Sequence, residues 1–205
     1  MLISSTAAAP RVVVEVPPDF HQVPLERQTE ARTASQLQVL DAMGLTEPDQ
    51  REALSLYLEG LAVRLTTTSL GGSAFCAVRL DGRPSTATLT VALQPIRTTD
   101  RGLAVLGAAE SLRREGRYTD VAVVRLGSRA VVTARSERSL APGSGAVPGA
   151  VLREMLAFVP LPGHEFAALL TLATPCHADW DVYADVLLDI CRSVRVERPE
   201  PSLLG

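Results

Sequence analysis

"DVAVVRLGSRAVVTARSE", residues 120–137, decides the fold. Two apolar runs rich in valine, 120–126 and 130–137, flank Gly127-Ser128, a pair suited to a tight turn. A link that short joins only antiparallel neighbours, because parallel strands need a crossover of a dozen or more residues. The same pattern recurs on both sides. "AFCAVRL" (74–80) and "STATLTVALQ" (85–94) flank Asp81-Gly82, with Arg83-Pro84 expected to lengthen the loop. "VLREMLAFVP" (151–160) and "HEFAALLTLAT" (164–174) flank Leu161-Pro162-Gly163. Three hairpins predict an antiparallel sheet.

Helical periods separate and follow these hairpins. An opening strand is predicted at "RVVVEV" (11–16), stopped by Pro17-Pro18. From Leu25 to Ala42 the pattern is helical and rather polar, with Ala34, Leu37, Leu40 and Met43 as a narrow apolar stripe ending at Gly44. Thr46, Pro48 and Asp49 open a second helix in which Ala53, Leu54, Tyr57, Leu58, Leu61 and Leu65 recur at three and four. Asp100 caps a third, whose predicted inner face is Leu103, Leu106, Ala109 and Leu112, and Gly116 closes it. The last helix, from Asp179, carries Trp180, Tyr183, Ala184, Leu187, Ile190, Cys191 and Val194 on one side. Asp181, Asp185 and Asp189 lie on the other. The fold class is therefore α/β (α+β), a layered sandwich with a central, mostly antiparallel sheet covered by helices. The expected organisation is a flexible lead (1–10), one domain (11–196) and a flexible tail (197–205).

Composition narrows the chemistry. The chain has 205 residues, 46% of them hydrophobic, enough for one packed core. Every one of its 20 basic residues is arginine; lysine and asparagine are absent, the bias of a high-GC bacterial coding sequence. Without lysine there is no P-loop lysine, no Schiff base and no lysine general base. A net charge of −3 argues against a dedicated nucleic-acid binder. Seven arginines against four acids between Glu110 and Arg138 form a local basic excess, read as a solvated face around a hairpin. Cys76, Cys176 and Cys191 are odd in number and widely spaced, which suits free thiols in a reducing compartment. "MLISSTAAAP" lacks the basic and apolar regions of a signal peptide, and no apolar run spans a bilayer, so a cytoplasmic location is expected.

"TPCHADWDVYADVLLDIC" (174–191) is the densest cluster of chemically capable residues. A metal site would need Cys176, His177 and Asp181 to converge, and no second Cys/His pair stands at ligand spacing. The cluster reads better as a helix start, with Asp179 as the N-terminal carboxylate. Ser128 and Ser144 lack the strand–turn–helix setting of a nucleophile elbow, and His164-Glu165 lacks a zincin's second histidine. No catalytic residue, metal or cofactor is assigned. Phe75, Phe158 and Phe166, with the loop 141–150, are the candidate partner-binding surface, a core role for the three aromatics being the competing reading.

"VVVEVPPDF" (12–20), "DVAVVRLGSRAVVTAR" (120–135) and "AALLTLATPCHADWDVYADVLLDICRSVRV" (167–196) together resemble the Mog1/PsbP-like family. That family includes LpqN-type lipoproteins and chaperones that escort secreted effectors. The likeness spans most of residues 11–196. It implies a closing helix that ends near Ser193 before a short extended tail. It also implies a non-catalytic protein-binding module: an adaptor, chaperone or accessory factor linked to secretion or assembly. The partner would be another protein, such as a secreted or membrane-associated effector. Two other classes stay open. A small hydrolase would need Cys176 in a pocket within reach of a histidine such as His177. An arginine-mediated nucleic-acid or phosphate binder would need Arg113, Arg114, Arg117, Arg125 and Arg129 on one face without acidic neighbours.

Overall fold

In the computed structural model, which describes residues 2–3, 10–26, 28–44, 46–66, 72–139 and 151–197, hairpins dominate the architecture. The elements are β1 (Leu2–Ile3), β2 (Val12–Val13), β3 (Phe20–Gln22), α1 (Thr29–Ala42), α2 (Pro48–Thr66), β4 (Gly72–Leu80) and β5 (Arg83–Pro95). They continue with α3 (Arg101–Arg114), β6 (Asp120–Leu126), β7 (Arg129–Ser139), β8 (Val151–Pro160), β9 (Phe166–Thr174), α4 (Trp180–Ser193) and β10 (Arg195–Val196). A 3₁₀ turn, His177–Asp179, leads into α4.

Seven strands form one sheet in the order β3-β4-β5-β9-β8-β7-β6, and every neighbouring pair is antiparallel. The antiparallel expectation holds. At Asp81-Gly82 both residues take positive φ, 49° and 75°, the backbone of a two-residue type I′ turn. Leu80 pairs with Arg83 and Arg79 with Pro84, so Arg83-Pro84 belong to the strand and do not lengthen the loop. Such a turn already matches the strands' twist and needs no extra residues. Gly127, at φ 65°, begins a two-residue turn between β6 and β7 in which only the first residue takes positive φ, the type II′ pattern.

Alternation along the strands divides the interior into two layers. One face carries Cys76, Ala87, Leu89, Val91, Val131, Met155, Ala157, Leu170 and Leu172 against α4. There the predicted stripe is all buried: Trp180, Tyr183, Ala184, Leu187, Ile190, Cys191 and Val194. The opposite face is shared. Ala104, Val105, Ala109 and Leu112 of α3 pack on Val132, Ala134, Phe158 and Ala167, while Leu40, Leu58 and Ala62 of the α1–α2 pair pack on Val23 and Phe75.

Two predicted helix faces are corrected. α3 buries Val105, Ala109 and Leu112, and leaves Leu103 and Leu106 exposed. α1 buries Arg32, Gln36 and Leu40 and exposes Leu37. Leu40, Ala109 and Leu112 are buried as the periodicity predicts, but each packing face is rotated away from the other predicted leucines, because it is set by the neighbours that arrive beside it. Alanines let α3 sit close to the sheet, and Glu59 of α2 gives the buried polar groups of α1 their partners.

A second, three-stranded sheet was not anticipated: β2 pairs antiparallel with both β1 and β10. The opening strand is confined to Val12–Val13, and Leu2–Ile3, expected within a flexible lead, is strand β1. Glu197, the first residue of the expected tail, donates its backbone N–H to Arg11 O at 2.8 Å. At the end of α4, Ser193 Oγ accepts from the backbone N–H of Glu15 at 2.9 Å and donates to Ile190 O at 2.7 Å. The serine followed by an extended segment is thus present, and Ser193 anchors the N-terminal chain to the helix end. Loop 141–150 lies outside the described residues.

Candidate functional site

Where β9 turns into α4, three hydrogen bonds fix the backbone. Thr174 Oγ1 donates to Thr86 O at 2.6 Å and accepts the Cys176 N–H at 2.9 Å. Cys176 Sγ accepts the Thr86 N–H at 3.4 Å. His177 turns away: its Nε2 lies 2.9 Å from Val151 O, and because a carbonyl only accepts, the ring donates. The histidine is thus engaged at the start of β8 and not at the neighbouring thiol.

Asp179 departs from its predicted role. Its carboxylate makes no side-chain cap bond. It is 5% exposed and reaches across to β5, accepting from Ser85 Oγ at 2.7 Å and from Arg83 Nη2 at 3.1 Å. Having given its proton to Asp179, Ser85 accepts from Tyr183 OH at 2.8 Å. The phenol oxygen in turn lies 3.7 Å from Cys76 Sγ, which donates. A directed chain therefore runs from Cys76 through Tyr183 and Ser85 to Asp179, whose charge Arg83 balances. Burial pushes both the Tyr183 phenol and the Cys76 thiol upward, so each stays protonated at neutral pH. A protonated, buried thiol is a poor nucleophile. What the chain does chemically is satisfy every polar group at the junction of β4, β5 and α4, where an unpaired one would cost about 1–3 kcal/mol.

Ser85 and Tyr183 were not read as polar partners from the sequence. Tyr183 sat in an apolar stripe and Ser85 at a strand start. The available signal was that Ser85 alternates in phase with Ala87 and Leu89, which places its hydroxyl on the α4 face.

The aromatic candidates are also corrected. Phe75 (2% exposed) lies beneath α1–α2, its ring 5.5 Å from that of Tyr57, and Phe158 (7%) lies beneath α3. Phe166 is half-buried against the α4-side core. Their strand positions place Phe75 and Phe158 on one face of the sheet and Phe166 on the other, so they do not line one open surface. The arginines disperse as well. Arg114 pairs with Glu110 at 3.0 Å and Arg117 with Glu115 at 2.8 Å. Arg113 Nη2 donates to Val121 O, and Arg129 Nη1 donates to Cys191 O near the end of α4. The acid-free cluster that a phosphate site requires is not formed by these residues. Among the described residues, no three His, Cys, Asp or Glu side chains group as metal ligands, and no helix is long and apolar enough to cross a membrane.

Among the described residues, a surface concavity lies between β3 and α1. It is an open groove of about 430 Å³, with His21, Gln22, Val23, Pro24, Leu25 and Glu26 on one wall and Ser35, Gln38, Val39 and Ala42 on the other. Ser35 Oγ donates to Glu26 Oε1 at 2.8 Å across one end. Apolar side chains interspersed with polar groups and one carboxylate, Glu26, suit the side chains of another polypeptide.

A seven-stranded antiparallel sheet with helices on both faces defines the protein as an α/β sandwich. No family model and no curated protein matches the sequence. Among solved structures, the chain is similar to the crystal structure of LpqN, involved in cell envelope biogenesis of Mycobacterium tuberculosis. The identity is 12% and the TM-score 0.47, over 97% of this chain and 90% of that one.

Proposed function

We propose that this protein is a non-catalytic binding module that holds a segment of another protein in the cleft between β3 and α1. The carrying observation is the cleft's lining: Val23, Pro24, Leu25, Val39 and Ala42 beside His21, Gln22, Glu26, Ser35 and Gln38. Apolar side chains supply affinity there and the amides and hydroxyl supply orientation. The sequence resemblance to Mog1/PsbP-like proteins supports the finer reading, a cytoplasmic adaptor, chaperone or accessory factor in secretion or assembly. That part rests on analogy of fold and not on a site. The engaged state of His177, and of Asp179 with Ser85, favours this reading over a Cys176 hydrolase.

Ala42→Arg and Gln38→Arg, both at exposed positions lining the cleft, provide the test. Wild-type protein should retain a discrete partner from host extract, identified by mass spectrometry, and both variants should lose it with unchanged melting. Retention of the same partner by both variants would remove the cleft from the mechanism. Hydrolysis of an activated ester, abolished by Cys176→Ala, would replace the reading with an enzymatic one.

A further inference from the structure

Among the described residues lining the cleft between β3 and α1, Glu26 is the one carboxylate, and no arginine stands with it. Glu26 is exposed, yet it is held at two points. Its backbone carbonyl accepts from Arg32 Nη1 at 2.7 Å, and its Oε1 accepts from Ser35 Oγ at 2.8 Å. Its other carboxylate oxygen has no hydrogen-bond partner among the described residues. A carboxylate can accept about four hydrogen bonds, so most of this capacity is unused.

Arg32 does not cancel this charge. Each of its nitrogens already donates: Nε and Nη2 to Glu59, and Nη1 to the Glu26 carbonyl. Its pKa is raised first by the hydrogen bond to Glu59 and least by the Glu26 charge. The guanidinium is thus turned toward α2, whereas the Glu26 carboxylate is turned toward Ser35 on the cleft wall. That contact marks one end of the cleft, and Val39 and Ala42 continue the α1 wall away from it. From Ser35 to Ala42 the helix rises about 10 Å. An extended chain covers that length in about three residues.

We propose that Glu26 is the specificity-determining residue of the cleft, and that it selects a partner segment bearing an arginine or lysine beside apolar side chains. The inference rests on the reading of the cleft as the binding site for a segment of another protein. A basic side chain entering at the Ser35 end finds a carboxylate already oriented, and the hydrogen bond it donates is charge-assisted. The apolar residues next to it then lie along Val39 and Ala42. A wholly neutral segment would cover the carboxylate without replacing the water it loses, which is unfavourable. An acidic one would meet a like charge. Discrimination thus comes from the penalty on wrong segments as much as from the contact with the right one.

The test is selection from a random peptide library displayed on phage, followed by titration of synthetic copies of the enriched peptides against the full chain. With wild type, the enriched peptides should share an arginine or lysine with apolar residues within about three positions of it, and Ala42→Arg should abolish their binding. Glu26→Gln keeps the size of the side chain and an acceptor for Ser35. It should weaken these peptides about fivefold, the upper range for an exposed ion pair, and by less in high salt. Glu26→Arg should instead enrich peptides carrying an aspartate or glutamate. Asp185→Asn removes the same charge from α4, on the other face of the sheet, and should leave the affinities unchanged. Melting of each variant is the fold control. Peptides that need the cleft but carry no basic residue overturn the inference and leave the cleft standing, as does a basic peptide indifferent to Glu26→Gln. An absence of enriched peptides, or peptides that bind Ala42→Arg as tightly as wild type, overturns the cleft reading and this inference with it.

Discussion

The α4 side of the sheet and the α1–α2 side reach burial by opposite means. On α4, apolar residues three and four apart form one stripe, and Leu187, Ile190 and Cys191 are wholly enclosed. α1 instead buries Arg32 and Gln36 beside Leu40. The Arg32 guanidinium grips both oxygens of Glu59 on α2, at 2.8 and 2.5 Å, and its third hydrogen bond goes to Glu26 O at 2.7 Å. Gln36 Nε2 adds a donor to Glu59 at 3.0 Å. The hydrogen bond to Glu59 raises the Arg32 pKa, and the same contact lowers that of Glu59. One side is held by non-directional packing and the other by a charged clamp. Packing tolerates pH and needs volume; a clamp tolerates volume changes and needs charge.

The difference can be broken most severely on the α4 side. Leu187→Ala should destabilise by about 2–5 kcal/mol, the cost of a large truncation in a closed core, measured by denaturant unfolding. Asp179→Ala comes next. It leaves the Ser85 hydroxyl without its acceptor and should cost about 1–3 kcal/mol. Tyr183→Phe with Asp179→Ala should be less than additive, because both act on one chain.

Glu59→Gln should have a smaller effect, since a third of the Glu59 side chain is exposed and water replaces part of what is lost. Its signature is pH dependence. With a folded-state pKa below the unfolded value, Glu59 contributes stability above the ordinary carboxylate range, and this is lost as pH falls through its lowered pKa. Wild type should therefore loosen in the α1–α2 amides as pH falls below the ordinary carboxylate range, read by hydrogen exchange, while α4 amides hold. In Glu59→Gln that acid step should vanish. The smallest effect is expected from Asp185→Ala on the exposed side of α4, within about 0.5 kcal/mol.

The same contrast explains what could be read in advance. α4 was legible residue by residue because its period and its apolar residues agree, and any sheet would bury that stripe. α1 was misread because Arg32 and Gln36 are ordinary surface residues until Glu59, 23 or more positions away, makes their burial affordable. Asp179 was misread for the same reason. A carboxylate before a helix has a local use as a cap, and only Ser85 and Arg83, more than 90 positions away, gave it another.

By itself the sequence determined the hairpins, the antiparallel sense of the sheet and the buried face of the last helix. These depend on turn residues and periodicity within a few positions of one another. Tertiary structure alone decided the strand order, the small sheet of β1, β2 and β10, and the placing of Phe75 and Phe158 beneath helices. It alone assembled the polar chain from Cys76 to Asp179 and placed β6 at the end of the sheet. The physical reason is range: a turn or a helix period is satisfied by neighbours along the chain, whereas burial of a charge or exposure of an edge depends on which distant segment arrives beside it.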